Sequence, residues 1–312
     1  MTTSNSYIIS YGKAHVPVYR VYAPPLTGVA AIPESSFTGR DNTLFACEID
    51  VEVFGTNFLP AYTQGDNSNV VATDSMKNFI LQQALSFNGS TLEEFIALLG
   101  HQFLSVYPQM QIIRLTGREL PFTSAYVPND NNVFGDSNVL FSRSHNDYTT
   151  IEMDFAQEDG QPTLKSHRGG RVNLELFKVT GSAFTRFVRD AYTTLPERGD
   201  RPLFIYMDVY WKYSDSADMI ATDHTRYIPA EQIRDMIQSI FHEFVSESIQ
   251  HLVHEMGTRL LARFPQLVEI SFEAQNRTRD PMVESSTEQK VKVYSDPFPA
   301  YGLIKLTITR NL

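Results

Sequence analysis

The sequence predicts an α+β fold in which one unit occurs twice, each copy with helices on one face of an antiparallel sheet. The first observation is a repeat: residues 91–110 resemble residues 248–267 at an offset of 157, and Gly100 then falls on Gly257. The second is the order of patterns, which runs strand, strand, helix, helix, strand, strand in both halves. Twice the offset covers almost the whole chain of 312 residues, so two copies account for it.

The first copy shows its elements through the spacing of apolar residues. Alternation predicts strands, and apolar residues at i, i+3 and i+4 predict helices. In order, these are strands 16–22 and 45–53, helices 73–88 and 91–106, and strands 111–115 and 149–155. Thr73 and Thr91 stand at predicted N-cap positions, and Thr91 with Glu94 forms a capping box.

The second copy repeats this order. Its predicted elements are strands 174–180 and 203–213, helices near 230–245 and 248–263, and strands 269–272 and 301–309. The polar, Gly- and Pro-containing stretch 157–162 has the composition of a linker, which places one domain at 1–158 and the other at 159–312. A four-stranded sheet has open edges that favour pairing with another chain, so we expect an oligomer.

Composition excludes several classes of protein. Hydrophobic residues make up 42% and charged residues 20%, which is typical of a globular chain. The net charge of -10 argues against binding to a nucleic-acid backbone. No apolar run is long enough to span a bilayer, and the N-terminus lacks the pattern of a secretory signal. Cys47 is the only cysteine, which excludes an intramolecular disulfide and favours a reducing compartment.

Four short segments could bind a ligand, and each also has an ordinary structural explanation. The helix start at residues 73–75 could present free N–H groups to an anion or a polarised heterocycle, or could simply be capped. Arg201, before a strand, suits a planar ligand with two acceptors, or a loop salt bridge. Lys13, in Tyr11-Gly-Lys13, could face a ligand or be an ordinary solvated surface residue. Asn276, at a strand end, could cap the strand or form hydrogen bonds with the edge of a ligand.

No metal or cofactor is predicted. His251 and His254 share a helix face, but no third ligand is indicated near them. The sequence contains no phosphate-binding P-loop, no strand-linked dinucleotide fingerprint and no nucleophile elbow.

Three motifs together resemble one family, the cofactor-independent urate oxidases (uricases), and in particular its Bacillus-like bacterial branch. They are Tyr11-Gly-Lys13, Val71-Ala-Thr-Asp-Ser75, and Phe184 followed by Arg189-Asp-Ala-Tyr-Thr-Thr-Leu195 and Arg201. The resemblance covers nearly the whole chain. It implies tandem T-folds, each a ββααββ unit, and a homotetramer with a barrel-walled tunnel and active sites between subunits.

The resemblance also implies roles for individual residues. Lys13 and Thr73 correspond to the catalytic dyad of the family, and Thr73 also contacts substrate. The other implied contacts are the Phe184 ring stacked on the purine, Arg201 and Gln250 on its edge, the backbones of Asp74 and Ile249, and Asn276 beside dioxygen or water. The implied reaction, in purine degradation, converts urate, O2 and water to 5-hydroxyisourate and hydrogen peroxide.

One position departs from the family pattern. The family's proton relay uses a histidine two residues after the asparagine, where this chain has Thr278, and Bacillus-type relatives carry a histidine directly after it, where this chain has Arg277. This departure keeps open a purine-binding homologue with impaired catalysis. A second alternative, which rests on the fold alone, is a pterin-type T-fold enzyme, which would usually need zinc. The chain ends Arg310-Asn-Leu312 and not in a peroxisomal S-K-L signal, which favours the bacterial cytoplasm.

Overall fold

The computed structural model describes residues 5–128, 131–288, 290–295 and 299–311, so Leu312 of the C-terminal tripeptide lies outside the described residues. The chain divides into two compact units. The first unit comprises Met1–Ala30, Thr38–Gly169 and Asp215–Tyr227, and the second comprises Ala31–Phe37, Gly170–Ser214 and Ile228–Leu312.

The described secondary structure alternates groups of strands with groups of helices. In chain order the elements are β1 (Ser10–Val21), β2 (Leu44–Phe54), a 3₁₀ turn (Thr56–Phe58), α1 (Leu59–Thr63), α2 (Thr73–Ser86), α3 (Leu92–Val106), β3 (Ile112–Glu119), β4 (Phe122–Pro128), β5 (Phe134–Arg143), β6 (Tyr148–Glu158), β7 (Gln161–Lys178), β8 (Leu203–Tyr213), α4 (Ala217–Ile220), α5 (Ala230–Glu243), α6 (Ile249–Arg263), β9 (Leu267–Asn276), β10 (Pro281–Glu284), β11 (Lys292–Tyr294) and β12 (Gly302–Thr309).

In the first unit, β1, β2, β3 and β6 pair in that order, each antiparallel to its neighbour. Alternate residues of β2 are buried, among them Ile49, Val51 and Val53, because one face of the sheet is covered by helices. On the neighbouring strands, α2 packs on β1, and α3 packs on β3 and β6. The opposite face carries ion pairs between neighbouring strands, such as Arg118 to Asp50 at 2.7 Å. The helices and the apolar face of the sheet therefore form the core of this unit.

The lone thiol belongs to that core. Cys47 on β2 is 1% exposed. Burial, together with the charge of Glu119, raises the pKa of the Cys47 thiol far above its ordinary value, so the group stays protonated.

The two predicted helices of the first unit are confirmed, with one correction at a helix start. Thr91 accepts a hydrogen bond from the Glu94 N–H at 3.1 Å, and the Thr91 N–H donates to the Glu94 carboxylate at 3.0 Å, so the capping box is present. Thr73, however, is not an N-cap. The backbone of Ala72 is extended and Thr73 is already helical, which makes Ala72 the N-cap.

In the second unit, β9 pairs antiparallel with β8 on one side and with β12 on the other, and the end of β7 lies beside β8. The helices α5 and α6 pack against each other, and α6 packs on β9 and β12. Buried residues again alternate along β8, including Ile205, Met207 and Val209. This is the same layered arrangement as in the first unit.

The internal repeat is confirmed within each unit. Shifting α2 and α3 by 157 residues gives the bounds of α5 and α6, and shifting β1 gives 167–178, the second part of β7. The shared glycines have one cause. A Cβ on Gly100 would lie 2.3 Å from the Phe155 ring, and one on Gly257 would lie 2.7 Å from Ile308, because each helix approaches its sheet closely there.

The stretch 157–162 is not a linker. β6 and β7 are neighbours in the sheet, and Asp159 and Gly160 join them with φ of 49° and 77°. Two consecutive left-handed residues of this kind make a tight hairpin turn. The division of the chain at residues 158 and 159 remains a prediction. Two hairpins that the sequence did not predict, β4–β5 and β10–β11, are also present.

None of the helices in the described part of the chain is long and apolar enough to cross a membrane.

Candidate active site

The first set of predicted site residues lies where β1 runs beside β2. A Cβ on Gly12 would come within 1.9 Å of the Val51 carbonyl oxygen, so only glycine allows this approach. Lys13 pairs with Val51, and since paired residues share a face, Lys13 projects on the helix-covered side of the sheet. The strand then bulges, and the His15 N–H donates to Asp50 at 2.7 Å. Lys13 thus stands at the last regular position before a bulge.

The first turn of α2 supplies the other members of this set. Thr73 is its first residue and half-buried, and no side chain of the described residues caps this helix. The Thr73 hydroxyl is therefore not engaged as a cap. Asp74 is exposed, and its carboxylate accepts hydrogen bonds from Lys77 at 2.6 Å and Asn78 at 3.0 Å.

The charge of Lys13 reaches the same helix start. The hydrogen bond and charge of Lys77 lower the pKa of the Asp74 carboxyl, and the charge of Lys13 adds to the effect. Lys13 therefore lies close enough to the start of α2 for its charge to act on Asp74, the residue after Thr73.

The second set begins with Phe184 and Arg201. Phe184 exchanges two backbone hydrogen bonds with Arg198, at 2.8 Å and 3.0 Å, and the Arg201 N–H donates to the Ser182 carbonyl at 2.8 Å. These bonds fold the loop before β8 back on itself, with the Arg201 guanidinium 5.3 Å from the centre of the Phe184 ring. The ring also stacks on Phe187, with centroids 4.9 Å apart and planes at 13°.

Arg201 has an unsatisfied donor. Its Nε is buried and has no hydrogen-bond partner among the described residues. Burial lowers the pKa of the Arg201 guanidinium, and the positive charge of Arg198 lowers it further. A buried guanidinium donor without a partner carries a desolvation cost that a ligand oxygen or nitrogen can relieve.

A backbone bridge brings the start of α6 to this loop. The Ala183 N–H donates to the Ser246 carbonyl at 2.8 Å, two residues before the N-cap Ser248. The Ser248 hydroxyl accepts from the His251 N–H at 3.0 Å, which starts the helix. Ile249, 2% exposed, anchors the first turn in the core, and Gln250 next to it is exposed.

Asn276 ends β9, and the two residues after it point to different environments. Arg277 donates twice to the Gln275 side-chain oxygen, at 3.0 Å and 2.8 Å, and its guanidinium lies 4.2 Å from the centre of the Tyr206 ring. Thr278 turns back, and its hydroxyl donates to the Asn276 side-chain oxygen at 3.3 Å. Arg277 is thus engaged away from Asn276, while Thr278 contacts it.

A cavity of about 50 Å³ links this strand end to the arginine loop. Arg201 and Thr278 both line it, together with the charged side chains of Arg198, Asp200, Arg279, Asp280 and Lys292. The cavity therefore brings Arg201, which lies over Phe184, near Thr278, which contacts Asn276. Gln250 does not line this cavity. Over the described ranges, no group of three or more His, Cys, Asp or Glu side chains is arranged to hold a metal ion.

The structure also places near the predicted site three residues to which the sequence analysis gave no role, namely Tyr11, Phe187 and Arg198. Tyr11 accepts a hydrogen bond from the Val71 N–H at 3.2 Å, next to Lys13 and Thr73. The period of two along β1 was the available signal, because it puts Tyr11 on the same face as Lys13. Phe187 and Arg198 are placed by long-range pairing within the loop, for which no sequence periodicity exists.

Comparison with known proteins identifies close relatives. The family model described as Uricase matches residues 9–152 and 167–305. The uric acid degradation bifunctional protein PucL of Bacillus subtilis (strain 168) is 45% identical over 303 residues, which are 97% of this chain and 61% of that protein. A uricase of Halalkalicoccus jeotgali is 46% identical over 303 residues, 97% of this chain and 98% of that protein.

A solved structure also has the same fold as this chain. The urate oxidase of Bacillus sp. TB-90 superimposes with a TM-score of 0.94 at 43% identity, covering 97% of this chain and 100% of that chain. The curated bifunctional protein of Bacillus sp. (strain TB-90) is longer, and the match covers 62% of it. The present chain thus spans about three fifths of the length of the two bifunctional Bacillus relatives.

Proposed function

The chain belongs to the uricase family, and we propose that it oxidises urate with O2 and water to 5-hydroxyisourate and hydrogen peroxide without a cofactor. The observation that carries the proposal is the pairing of Phe184 with Arg201, whose buried Nε has no hydrogen-bond partner in the described part of the chain. A flat ring beside an unsatisfied guanidinium donor suits a planar, anionic heterocycle. Urate has this shape and charge.

The second unit holds the substrate in this proposal. Phe184 stacks on one face of the purine, while Arg201 and the exposed amide of Gln250 bind acceptors along its edge. The backbone of Ile249, fixed by the buried side chain, contributes a further contact. These groups bind and orient without taking part in bond changes, so their contribution is to hold the ring in a reactive position.

The first unit moves the proton. Lys13 in its neutral form accepts a proton from urate through the Thr73 hydroxyl, which is available because Ala72 and not Thr73 is the N-cap. The backbone N–H of Asp74, in the first turn of α2, stabilises the resulting negative charge on the purine. Removing this proton makes the ring a better electron donor.

The oxidation balances without a further reductant or oxidant. Urate loses two electrons and O2 gains them, with two protons, as hydrogen peroxide. Water then supplies the hydroxyl group of 5-hydroxyisourate. Asn276 is proposed to hold O2 and afterwards water above the ring, and the hydrogen bond from Thr278 orients its amide. In this scheme Thr278 holds the position at which the family has the relay histidine.

We also propose a homotetramer in which the active sites lie between subunits, located in the bacterial cytoplasm. The open outer edges of β1 and β12, which end the order of paired strands in the described residues, support association with further copies. The similarity to the uric acid degradation bifunctional proteins of two Bacillus strains supports the location. Sedimentation of the purified protein tests the assembly.

The first test is aerobic consumption of urate, followed by its near-UV absorbance with a chelator present and no cofactor added. Loss of urate with an equal amount of hydrogen peroxide supports the proposal. No loss, with the urate analogue 8-azaxanthine still bound, refutes it and favours a purine-binding homologue. Activity that disappears with the chelator refutes it in favour of a zinc-dependent relative.

The role of Lys13 is tested by Lys13→Met, with Lys165→Met as a matched control. Lys165 is exposed and its only described partner is Glu158 at 2.5 Å, so its replacement leaves the site untouched. Loss of the base lowers kcat about 10²–10⁴-fold. Binding of 8-azaxanthine persists in both variants. Lost analogue binding in Lys13→Met alone would instead make Lys13 a binding residue.

A further inference from the structure

Tyr11 connects the two segments that carry the proposed proton-transfer residues. Its hydroxyl oxygen accepts a hydrogen bond from the Val71 N–H at 3.2 Å. Tyr11 lies two residues before Lys13, and Val71 lies two residues before Thr73. Two residues of extended chain span about 7 Å at most. The hydrogen bond between Tyr11 and Val71 therefore limits the distance between β1 and the start of α2 close to Lys13 and Thr73.

The strand side of this contact has little freedom. Tyr11 pairs with Val53, and its ring packs edge-on against Phe58 with centroids 5.0 Å apart. Gly12 brings the backbone of β1 against Val51, where a Cβ would clash at 1.9 Å. Tyr11 and Lys13 share one face of the strand because side chains alternate. The position of the Tyr11 hydroxyl is therefore fixed by packing on both sides.

The helix side is equally anchored. Val71 is 7% exposed, and it precedes the N-cap Ala72. No i to i−4 partner exists for an N–H at this position, so the amide needs an acceptor from elsewhere. Desolvation raises the pKa of the Tyr11 phenol, with nearby Tyr62 adding to the effect, so the acceptor is a neutral hydroxyl and adds no charge near Lys13.

We propose that Tyr11 is a positioning residue that sets the distance between Lys13 and Thr73. The inference rests on the proposed function. The hydroxyl touches neither substrate nor reacting atoms and acts only by holding the start of α2 against β1. Loss of the hydroxyl alone is expected to lower the rate of proton transfer, while the substrate contacts of the second unit stay in place.

The test compares Tyr11→Phe with Tyr62→Phe in the whole 312-residue chain. Tyr11→Phe keeps the ring against Phe58 and removes only the acceptor. Tyr62→Phe is a matched control because Tyr62 lies in α1 and its hydroxyl also bonds to β1, donating to the Ser10 carbonyl at 2.6 Å. In the described hydrogen bonds it contacts neither Lys13 nor the start of α2. We measure kcat, KM, 8-azaxanthine affinity, sedimentation, and hydrogen exchange of the peptide covering residues 70–76.

Tyr11→Phe should lower kcat by about 10- to 100-fold, since a displacement of about 1 Å has effects of this size. KM and 8-azaxanthine affinity should change less than about threefold. The peptide 70–76 should exchange faster in Tyr11→Phe than in wild type or Tyr62→Phe.

Three outcomes would overturn the inference. They are unchanged kcat with faster exchange, equal loss of kcat and analogue binding, and a slower rate that accompanies dissociation of the assembly. A wild-type protein that never consumes urate contradicts the proposed function instead. In that case the exchange of peptide 70–76 still decides whether Tyr11 secures the start of α2.

Discussion

The two glycines of the internal repeat should respond differently to alanine. Both lie in helix interiors, where alanine is favoured over glycine by about 1 kcal/mol. At Gly100 the new Cβ would meet three atoms of the Phe155 ring at 2.3, 2.4 and 2.5 Å. Carbon atoms pack at about 3.5–4.0 Å, so this ring must move by roughly 1 Å. Phe155 is fully buried, so nothing around it yields easily.

The second copy offers more room. At Gly257 the nearest atom is the terminal Cδ1 of Ile308 at 2.7 Å, and the next is the Phe272 ring at 3.1 Å. Ile308 is only half-buried and its terminal methyl can rotate away. Overpacking costs about 1–3 kcal/mol, with Gly100→Ala at the upper end and Gly257→Ala at the lower end. After the helix gain, Gly100→Ala destabilises by about 1–2 kcal/mol, and Gly257→Ala is near neutral.

Thermal unfolding and denaturant midpoints measured side by side test this difference. A loss of 1–2 kcal/mol lowers Tm by about 1.5–3 °C in a chain of 312 residues. The wild type and Gly257→Ala should agree within about 1 °C. A Gly100→Ala protein as stable as wild type would refute the reasoning, as would a Gly257→Ala protein that is the less stable of the two.

Three further predictions concern the surface ion pairs and the end of β9. Burial disfavours the Asp154 charge, but hydrogen bonds from Arg114 and Ser166 outweigh it and lower the pKa of Asp154. The free energy of unfolding that the ionised Asp154 contributes is present above about pH 4 and is lost as pH falls through the lowered pKa of Asp154. Asp154→Asn should therefore flatten the acid side of a curve of unfolding free energy against pH. Thr278→Val should raise KM for O2 or lower kcat, whereas Thr278→Ser should retain wild-type kinetics, in oxygen-electrode assays. Arg277→Ala should lower Tm by loss of its contacts with Tyr206 and Tyr301 and leave kcat unchanged, and a loss of turnover would show that Arg277 serves in the proton relay.

The sequence predicted those parts of the fold that depend on local chemistry. The helices at 73–88 and 91–106 end within a few residues of α2 and α3, because their apolar spacing and the Thr91 capping box act within one turn. Gly100 and Gly257 matched because both face a sheet at close range. The stretch 157–162 misled for a physical reason. Asp-Gly suits both an open linker and a tight hairpin turn, and only the pairing of the flanking strands decides between them.

The candidate site divides in the same way. Lys13 and Thr73 each lie in a short motif, but spacing alone did not distinguish them from a surface lysine and a helix cap, and their roles came from the family resemblance. The approach of Phe184, Arg201 and the start of α6 depends on backbone bridges such as Ala183 to Ser246, between residues far apart in the chain. No periodicity encodes such a bridge, and only the family resemblance suggested that these residues act together. Their catalytic roles remain predictions that the variants above can test.

The burial of sulfur has a consequence for the proposed oxidase activity, which releases hydrogen peroxide. Peroxide oxidises thiolates and exposed thioethers, and the Cys47 sulfur is a protonated thiol enclosed in the core. Among the methionines that the structure describes, seven are at most 3% exposed, whereas Met282 is 67% exposed. During prolonged turnover, oxidation should therefore begin with methionine sulfoxide at Met282. Met282→Leu should lengthen the time for which activity persists, without altering the core.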